Sequence, residues 1–384
     1  MDERGMNQAE VLKQLSEKLK RDLTYTSGLI LGSMCTKPHP FAKEVFQKHL
    51  EKNLGDPGLF QGTVEVEREA ICMLASLMSK PDAPGFIVSG GSEANILALW
   101  SARDKLNKRQ VVASASCHAS IDKAAALLGL KLVKAPVTEE GEVDVDAVRR
   151  LINDDTAAIV SIAGTTDLGV IDPIPELSEL ALSYDIHLHV DAAFGGLVIP
   201  FLKELGYKVP DFDFKLQGVA SITVDPHKMG MVPIPAGGIL FRDEGSLKPL
   251  SFNLPYLSGG PALQYTITGT RPGASAIAVW ALFKHLGREG YRKVVARCME
   301  LTEIIAIEVE RIPKARLVRK PVMNVVGITF DGVKVEAVAE KLRRRGWAIS
   351  TVRGFIRIVV MPHVKLRHIT RFMRDLKEIL REEV

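Results

Sequence analysis

A chain of 384 residues is long for one hydrophobic core and predicts two domains, one of them large. With 46% hydrophobic and 25% charged residues, the composition is that of a folded globular protein, which argues against a disordered or fibrous one. The formal net charge is +4, only 6% of the residues are aromatic, and the basic residues alternate with acidic and apolar ones. This pattern indicates solvated helix faces and gives no support to a nucleic-acid partner.

The four cysteines, Cys35, Cys72, Cys117 and Cys298, show neither C-x-x-C pairing nor the spacing of metal ligands. We therefore expect reduced thiols, no metal site and a cytoplasmic protein. Residues 1–21 have a charged, helical pattern rather than the apolar core of a signal peptide. No stretch approaches the roughly 18 consecutive apolar residues of a membrane-spanning helix, so no membrane partner is expected.

Residues 1–50 predict a helical N-terminal segment. Seven short apolar runs follow it, at residues 85–88, 111–114, 131–133, 157–162, 186–190, 220–224 and 237–241. Helical patterns separate most of these runs, at residues 93–106, 118–128, 145–152 and 174–184. Strands that alternate with helices form a largely parallel sheet with helices on both faces. The predicted fold class is therefore α/β with a seven-stranded, mostly parallel sheet, in which the last run can pair antiparallel at an edge.

The pattern changes after Gly273, where a long helical stretch precedes a compact α+β unit. The predicted elements are a helix at 274–311, a strand at 324–329, a helix at 335–345, strands at 347–351 and 356–360, and a helix at 366–382. These few strands fit an antiparallel sheet. We predict a large domain at residues 51–280 and a small C-terminal α+β domain at residues 281–384, with the boundary inside the long helix.

Polar residues follow the first predicted strand, as Ser89-Gly90-Gly91-Ser92 at the start of a helix. In open α/β sheets, ligands bind beyond the carboxyl ends of the strands. Glycines allow close backbone approach, serines can donate to phosphate oxygens, and the free N–H groups of a helix start attract anions. The alternative is a tight turn with Ser92 as a helix cap. Without a G-K-[ST] sequence, the turn does not predict a nucleoside-triphosphate site.

Further polar residues follow the second and fourth predicted strands. His118 lies at the next helix start, where its imidazole can stack on an aromatic ring or simply cap the helix. Thr166 lies in the hydroxyl-rich turn at residues 164–169, which is otherwise an ordinary exit from a strand.

Asp191 ends the fifth apolar run, and Ala193 follows it closely. A carboxylate at the end of a buried strand must form an ion pair or hydrogen bonds. A protonated ring nitrogen would meet this need, and the small side chain of Ala193 would leave room for a flat ring. A helix cap or a metal ligand is the alternative for Asp191.

The sequence Asp225-Pro226-His227-Lys228 ends the sixth run. At the reference pKa of ~10.4, only about one lysine in a few thousand is a neutral amine at pH 7. Burial disfavours the ammonium form, so we expect a lower pKa for Lys228 and a nucleophilic amine.

These motifs, in this order at successive strand ends, resemble the group II pyridoxal-phosphate decarboxylases of the aspartate-aminotransferase-like fold (fold type I). That group includes glutamate and aromatic amino-acid decarboxylases and the related sphingosine-phosphate lyases. The resemblance extends from about residue 24 to the end of the chain. Residues 30–35, 38–40 and 56–60 are similar to the archaeal tyrosine/aspartate decarboxylase branch (MfnA type).

The resemblance implies pyridoxal 5′-phosphate as cofactor, with Lys228 bound to it covalently. Asp191 would bind the pyridine nitrogen and His118 would stack on the ring. The residues implied for the phosphate and the remaining contacts are Gly91, Ser92, His227, Thr166 and Ala193.

The same resemblance implies one further residue and an assembly, and the sequence itself offers a candidate proton donor. Arg271, in the segment 269–273, would bind the substrate α-carboxylate, unless this segment is only a surface turn. Tyr256 is our candidate for the proton donor, because the Gly-, Pro- and Ser-rich segment 251–265 could close over the site. Packing of Tyr256 in an interface is the alternative. The resemblance also implies a homodimer with the active site at the interface.

The predicted reaction is decarboxylation of an L-amino acid, and we favour L-aspartate to β-alanine for coenzyme A biosynthesis. The alternatives are L-tyrosine to tyramine for methanofuran biosynthesis, L-glutamate decarboxylation, carbon–carbon cleavage of a phosphorylated amino alcohol, and a non-catalytic cofactor carrier. Lys37, His39 and Asn53 are candidates for contacts with the substrate side chain, but the sequence does not place them.

Overall fold

The computed structural model describes residues 1 and 3–382. Its central sheet contains β1 (Gly85–Val88), β2 (Gln110–Ser114), β3 (Lys131–Ala135), β4 (Thr156–Ile162), β5 (His187–Asp191), β6 (Val219–Val224) and β7 (Gly237–Phe241). The strand order is β1-β7-β6-β5-β4-β2-β3, and the strands from β3 to β6 in this order pair in parallel. The predicted seven-stranded, mostly parallel α/β sheet is confirmed.

Strand β7 is antiparallel to both of its neighbours, β1 and β6, and therefore lies inside the sheet. The antiparallel pairing was expected, but the edge position was wrong. Glycines permit this arrangement, because a Cβ atom on Gly85 would lie 2.1 Å from the Ile239 carbonyl oxygen. A Cβ atom on Gly237 would lie 2.4 Å from Gly90 Cα, so β7 packs directly beside the turn after β1.

Eight α-helices lie before and among the strands of this sheet in the described chain. In chain order they are α1 (Gln8–Leu19), α2 (Pro40–Lys48), α3 (Gln61–Leu77), α4 (Gly91–Leu106), α5 (Ala119–Leu128), α6 (Val145–Leu151), α7 (Ile174–Tyr184) and α8 (Ile199–Glu204). Local sequence sets several of their ends. Asp144 caps α6 through the Ala147 N–H, while Gly129 ends α5 in the left-handed conformation that glycine adopts without strain.

A second, four-stranded sheet lies in the C-terminal part of the chain. Its elements are β10 (Ala315–Leu317), β11 (Val325–Phe330), α10 (Val335–Arg344), β12 (Ser350–Val352), β13 (Phe355–Val359) and α11 (Leu366–Glu382). The order β10-β11-β13-β12 is antiparallel throughout, which confirms the small α+β unit. Helix α9 (Gly273–Glu310) leads into it and is interrupted at Gly287. The exact domain boundaries at residues 50/51 and 280/281 stay a prediction.

The features of the chain that were not predicted include a pair of short strands and an extended segment. Strands β8 (Phe252–Leu254) and β9 (Ala262–Gln264) form a separate hairpin-like pair before α9. The segment between α1 and α2 is extended and joins the second sheet, where Leu31 N–H donates to the Ala348 carbonyl and the Leu31 carbonyl accepts from Val359 N–H. This pairing carries residues 32–36 past the carboxyl ends of the central strands. Among the described residues, no helix has the length and apolar character needed to cross a membrane.

Candidate active site

A cavity of about 320 Å³ lies beyond the carboxyl ends of the parallel strands. Its volume falls within the range of small-molecule sites. The structure brings to its wall all of the residues predicted to contact the cofactor: Gly91, Ser92, His118, Thr166, Asp191, Ala193, His227 and Lys228. Parallel strands end at one edge of a sheet, which is why motifs so far apart in the chain converge here.

The turn after β1 forms one side of the cavity. Helix α4 begins at Gly91, and the first N–H groups of a helix have no partner within it. Glu93 holds the turn, since its Oε2 accepts from Ser89 N–H at 2.8 Å and from the Ser89 hydroxyl at 2.7 Å. A Cβ atom on Gly91 would lie 2.9 Å from Asp225 Oδ2 and 3.2 Å from Ala193 Cβ, so the fit requires glycine.

Asp191 forms the floor of the cavity and is only 6% exposed. Its Oδ1 accepts from Ala193 N–H at 3.1 Å, and its Oδ2 accepts from Asn95 Nδ2 at 2.8 Å. Asn95 lines the cavity and was missed by the sequence analysis. Its position three residues after Ser92, on the same helix face, was the available signal.

His118 caps a helix and also lines the cavity. Its Nδ1 accepts from Ser120 N–H at 3.2 Å and so caps α5, while its ring lines the cavity. The cap fixes the ring at the cavity wall, which leaves it available to stack on a flat ligand.

Lys228 is held as an ammonium group by carboxylates. Burial alone lowers the pKa of Lys228, but the charges of Asp225 and Asp191 outweigh burial, and the pKa is raised. Asp225 Oδ2 lies 3.1 Å from Lys228 Nζ and 3.6 Å from His227 Nε2. The expected neutral amine was therefore wrong for this state of the protein, because the sequence reading considered burial without the nearby carboxylates.

Two buried polar atoms at this wall lack hydrogen-bond partners within the described part of the chain. They are Asp225 Oδ1 and His227 Nδ1. Burying a polar atom without a partner is unfavourable, so both atoms point to a ligand that supplies a complementary group.

Comparison with known proteins identifies the family. The model of the pyridoxal-dependent decarboxylase conserved domain matches residues 60–330. L-aspartate decarboxylase of Thermococcus kodakarensis is 55% identical over 98% of this chain and 98% of its own length. The chain belongs to the pyridoxal-dependent decarboxylase family. Its cofactor is pyridoxal phosphate, and the decarboxylase has the fold-type I architecture.

Other relatives of this decarboxylase have broader names. L-aspartate/L-glutamate decarboxylase of Pyrococcus horikoshii is 54% identical over 98% of each chain. The probable L-tyrosine/L-aspartate decarboxylase of Methanothermobacter thermautotrophicus is 51% identical over 94% of this chain and 100% of the relative. Among solved structures, sphingosine-1-phosphate lyase of Burkholderia pseudomallei gives a TM-score of 0.92 at 30% identity, covering 99% of this chain and 92% of the other.

The residues of the cavity fit pyridoxal phosphate. The unpartnered His227 Nδ1 and the start of α4 at Gly91 are suited to a phosphate group. The Asp191 carboxylate, on the same wall, is suited to a protonated pyridine nitrogen. The Lys228 amine completes the set.

The structure does not bring Arg271 to this cavity. Arg271 is 9% exposed, and its Nη1 donates to Glu67 Oε1 at 2.5 Å and to the Ile87 carbonyl at 2.7 Å. It lines a separate cavity of about 140 Å³. Within this chain, Glu67 already neutralises the charge of Arg271 that was predicted to bind a carboxylate.

Tyr256 also lies away from the Lys228 cavity of its own chain. Its side chain is 77% exposed in the segment between β8 and β9. Within one chain of this decarboxylase, Tyr256 is thus neither a packed residue nor part of the wall.

Arg357 is a cationic residue that the sequence analysis missed. It lies in β13 and is largely buried. Its Nη1 donates to the Thr166 carbonyl at 2.6 Å, and its Nη2 donates to the Gly32 carbonyl at 2.7 Å. Its buried Nε has no partner among residues 1 and 3–382. No local motif marks it, because its neighbours come from distant parts of the chain.

The three candidates for substrate side-chain contacts lie outside the Lys228 cavity. Lys37 and His39 line a different cavity, of about 350 Å³. Asn53 Oδ1 accepts from Gly55 N–H at 2.7 Å in a local turn.

Proposed function

We propose that this decarboxylase converts L-aspartate to β-alanine, which supplies coenzyme A biosynthesis. The observation that carries the reaction is the convergence of Lys228 and Asp191 on one cavity beside the start of α4. The polar wall supports a dicarboxylic substrate over an aromatic one. Among the lining residues, Phe194 contributes the one phenyl ring, and His118 and His227 contribute imidazoles.

We propose the following roles for the predicted residues. Lys228 holds the cofactor covalently, Asp191 keeps a proton on its ring nitrogen, and His118 stacks on the ring. Gly91, Ser92 and His227 hold the phosphate, and Thr166 and Ala193 complete the contacts. When bound, pyridoxal phosphate supplies the electron sink for the electrons released as carbon dioxide leaves.

Asp225 is the residue that controls the proton on Lys228. An ammonium nitrogen has no lone pair, so Lys228 must lose a proton before Nζ can form a bond. Asp225 Oδ2, which forms an ion pair with Nζ at 3.1 Å, is positioned to accept this proton. The same carboxylate can return the proton when the lysine is released.

Arg357 is our candidate for attracting the substrate carboxylate. Its guanidinium donates to the carbonyl of Thr166, a residue that lines the cavity. The buried Nε–H of Arg357 has no hydrogen-bond partner among the described residues. Arg271, predicted for this role, is neutralised by Glu67, and its role stays a prediction.

We propose a homodimer in which Tyr256 of one copy reaches the cavity of the other and donates the proton to Cα. Two features support it. Helix α1 contributes no buried residue, and its apolar side chains Val11, Leu12, Leu15 and Leu19 are exposed. The exposed Tyr256 is unused within its own chain.

We also place the protein in the cytoplasm, which the four unpaired cysteines support.

The test is product analysis of purified, cofactor-loaded protein with aspartate, glutamate and tyrosine separately. β-Alanine as the dominant product is the expected result. Tyramine or γ-aminobutyrate as the dominant product would overturn the substrate and keep the decarboxylation.

A phosphorylated amino alcohol should be included as a fourth substrate, because the solved structure of a sphingosine-1-phosphate lyase is similar over 99% of this chain. Its cleavage without amine formation from the amino acids would favour the lyase reaction. Absence of every product, with the cofactor bound, would favour a carrier.

A further inference from the structure

A chain of buried polar side chains extends from Asp191 into the interior of the protein. Asn95 contacts Asp191, His189 contacts Asn95, and Ser221 lies between His189 and His187. The four heavy-atom distances, in this order, are 2.8, 3.0, 2.8 and 2.7 Å. All five side chains are buried.

Strand geometry explains why these residues meet. Side chains alternate across a strand, so His187, His189 and Asp191 point to the same face of β5. The parallel pairing with β6 sets Ser221 opposite His189. Helix α4 packs on this face and inserts Asn95.

The direction of the Asn95 amide follows from its neighbours. A carboxylate only accepts hydrogen bonds, so the Asn95 NH₂ group must face Asp191. The Asn95 carbonyl oxygen therefore accepts from the Thr223 hydroxyl, at 2.7 Å, and from His189. Since an amide oxygen cannot donate, His189 carries a proton on Nε2.

The remaining bonds are then also directed. Burial lowers the pKa of His189 to about 4, against the opposing charge of Asp191, so the ring has one proton. Its Nδ1 is thus an acceptor for the Ser221 hydroxyl, and the Ser221 oxygen accepts from His187 Nε2. Burial also lowers the pKa of His187 to about 3, so this ring too is neutral.

Every donor in the chain consequently points toward Asp191. Hydrogen bonds that run in one direction polarise one another, and the last one ends on the carboxylate. An amide does not take up a proton and pass it on, so Asn95 separates Asp191 from the histidines as a proton carrier. The arrangement stabilises the negative charge on Asp191 and fixes the orientation of its carboxylate. It does not transfer a proton between Asp191 and the histidines.

We propose that Asn95, His189 and Ser221 are positioning residues that hold Asp191 as a fixed acceptor toward the cofactor ring nitrogen. The inference rests on the proposed role of Asp191. It extends that role to a second layer of three side chains that need not touch cofactor or substrate to act.

The first test is the tautomer of His189 in the wild-type full chain, with and without pyridoxal phosphate. ¹⁵N NMR of protein labelled at histidine distinguishes a protonated Nε2 from a protonated Nδ1, and His187→Gln assists the assignment. A proton on Nε2 of His189 is expected. A proton on Nδ1, or on both nitrogens at pH 7, would overturn the proposal.

The second test compares Ser221→Ala and Asn95→Leu with Thr302→Val, which removes a buried hydroxyl from α9 far from this chain of bonds. We expect Asn95→Leu to bind pyridoxal phosphate about tenfold to a hundredfold more weakly, as for one lost hydrogen bond to a charged group. Ser221→Ala should weaken binding less, by about twofold to tenfold, because the Ser221 hydroxyl bonds to two neutral rings. The absorption spectrum of the bound cofactor should also shift.

Thr302→Val should retain the affinity and spectrum of the wild type. If Ser221→Ala and Asn95→Leu lose thermal stability but match Thr302→Val in affinity and spectrum, the residues only pack, and the proposal fails. If a variant does not fold, the wild-type tautomer decides. Wild-type protein with the expected tautomer but no decarboxylation products would overturn the proposed function alone.

Discussion

Asp225 and Lys228 are three residues apart in the chain, and Asp225 Oδ2 lies 3.1 Å from Lys228 Nζ. The Asp225 carboxylate therefore favours the protonated form of Lys228, the predicted nucleophile. The carboxylate makes Lys228 easier to accommodate in a buried wall, yet it also delays the loss of the proton that bond formation requires. The pH at which the cofactor is captured should therefore depend on Asp225.

Asp225→Asn should lower the pKa of Lys228, because the main charge that opposes burial is removed. A nearby opposite charge is worth about one to three pKa units, so the pH dependence of cofactor capture should move down by about that amount. Stopped-flow absorbance after adding pyridoxal phosphate to the cofactor-free protein measures the rate. Asp122→Asn, which removes the exposed partner of Lys134, is the control. An unchanged pH profile in Asp225→Asn would contradict the assignment.

Stability should fall on acidification through His187 and His189. Burial lowers their pKa to about 3 and about 4, whereas in the unfolded chain both return to ~6.5. Below about pH 6.5 the unfolded chain binds protons that the folded one does not, so the stability present above this pH declines toward pH 4. Each histidine contributes about 1.4 kcal/mol per pH unit to this slope.

His187→Gln should make the decline of stability with falling pH shallower by about 1.4 kcal/mol per pH unit, the contribution of one histidine. A glutamine N–H can still donate to Ser221. Urea unfolding at several pH values between ~4.5 and ~7 gives the slopes. His285→Gln, at an exposed site, serves for comparison. Parallel slopes for His187→Gln and the wild type would mean that His187 is not buried as a neutral ring.

Lys228→Ala should abolish multiple-turnover activity, whereas Tyr256→Phe should reduce it less severely. If Tyr256 acts in the cavity of the other copy, a mixed dimer of Lys228→Ala and Tyr256→Phe chains contains one site with both Lys228 and Tyr256 intact. Random exchange makes about half of the dimers mixed, each with one intact site of two, so about a quarter of wild-type activity should return. No recovery after unfolding and refolding together would rule out a shared site, and sedimentation of each variant controls for dimer formation.

Arg271→Met should lower the free energy of unfolding by about 3–5 kcal/mol, because Glu67 would remain buried without its ion pair. Adding Glu67→Leu should restore part of the loss. The double variant should still be about 1–3 kcal/mol less stable than the wild type, because Ile87 N–H, which donates to Glu67 at 3.0 Å, would lose its acceptor. A double-mutant cycle by urea unfolding measures the coupling. Additive losses in the cycle would show that the pair does not hold the segment.

Arg357→Met should raise KM for aspartate about tenfold to a hundredfold, as expected for a lost contact with a charged group. The cofactor spectrum should stay unchanged if Arg357 binds substrate rather than cofactor. Arg367→Met, an exposed change at the start of α11, controls for a general loss of charge. An unaltered KM in Arg357→Met would contradict the assignment of Arg357 to the substrate carboxylate.

Much of the central sheet could be predicted because its strands are buried on both faces and read as continuous apolar runs. The position of β7 could not, because pairing between β1 and β7 depends on glycine contacts that leave no periodic pattern. The short strands β8, β9 and β10 have three residues each, too few to show alternation.

The site followed the same rule. Residues at strand ends were found, since parallel strands share an edge. Asn95 and Arg357 were missed because one lies within a helix and the other in the second sheet. The ion pair of Arg271 could not be predicted because its partner Glu67 is 204 residues away in the chain. The charge effect of Asp225 required a distance that no sequence spacing supplies.

The extended segment after α1 has a consequence for synthesis of the chain. Thr36 donates to His363 Nδ1 at 2.8 Å, from a residue 327 positions later, and Met34 forms part of the Lys228 cavity. During synthesis on the ribosome, residues 32–36 cannot form these contacts until the second sheet has left the ribosome. A nascent chain that already contains Lys228 therefore has an incomplete cavity wall, and we expect efficient capture of the cofactor only after the second sheet has folded.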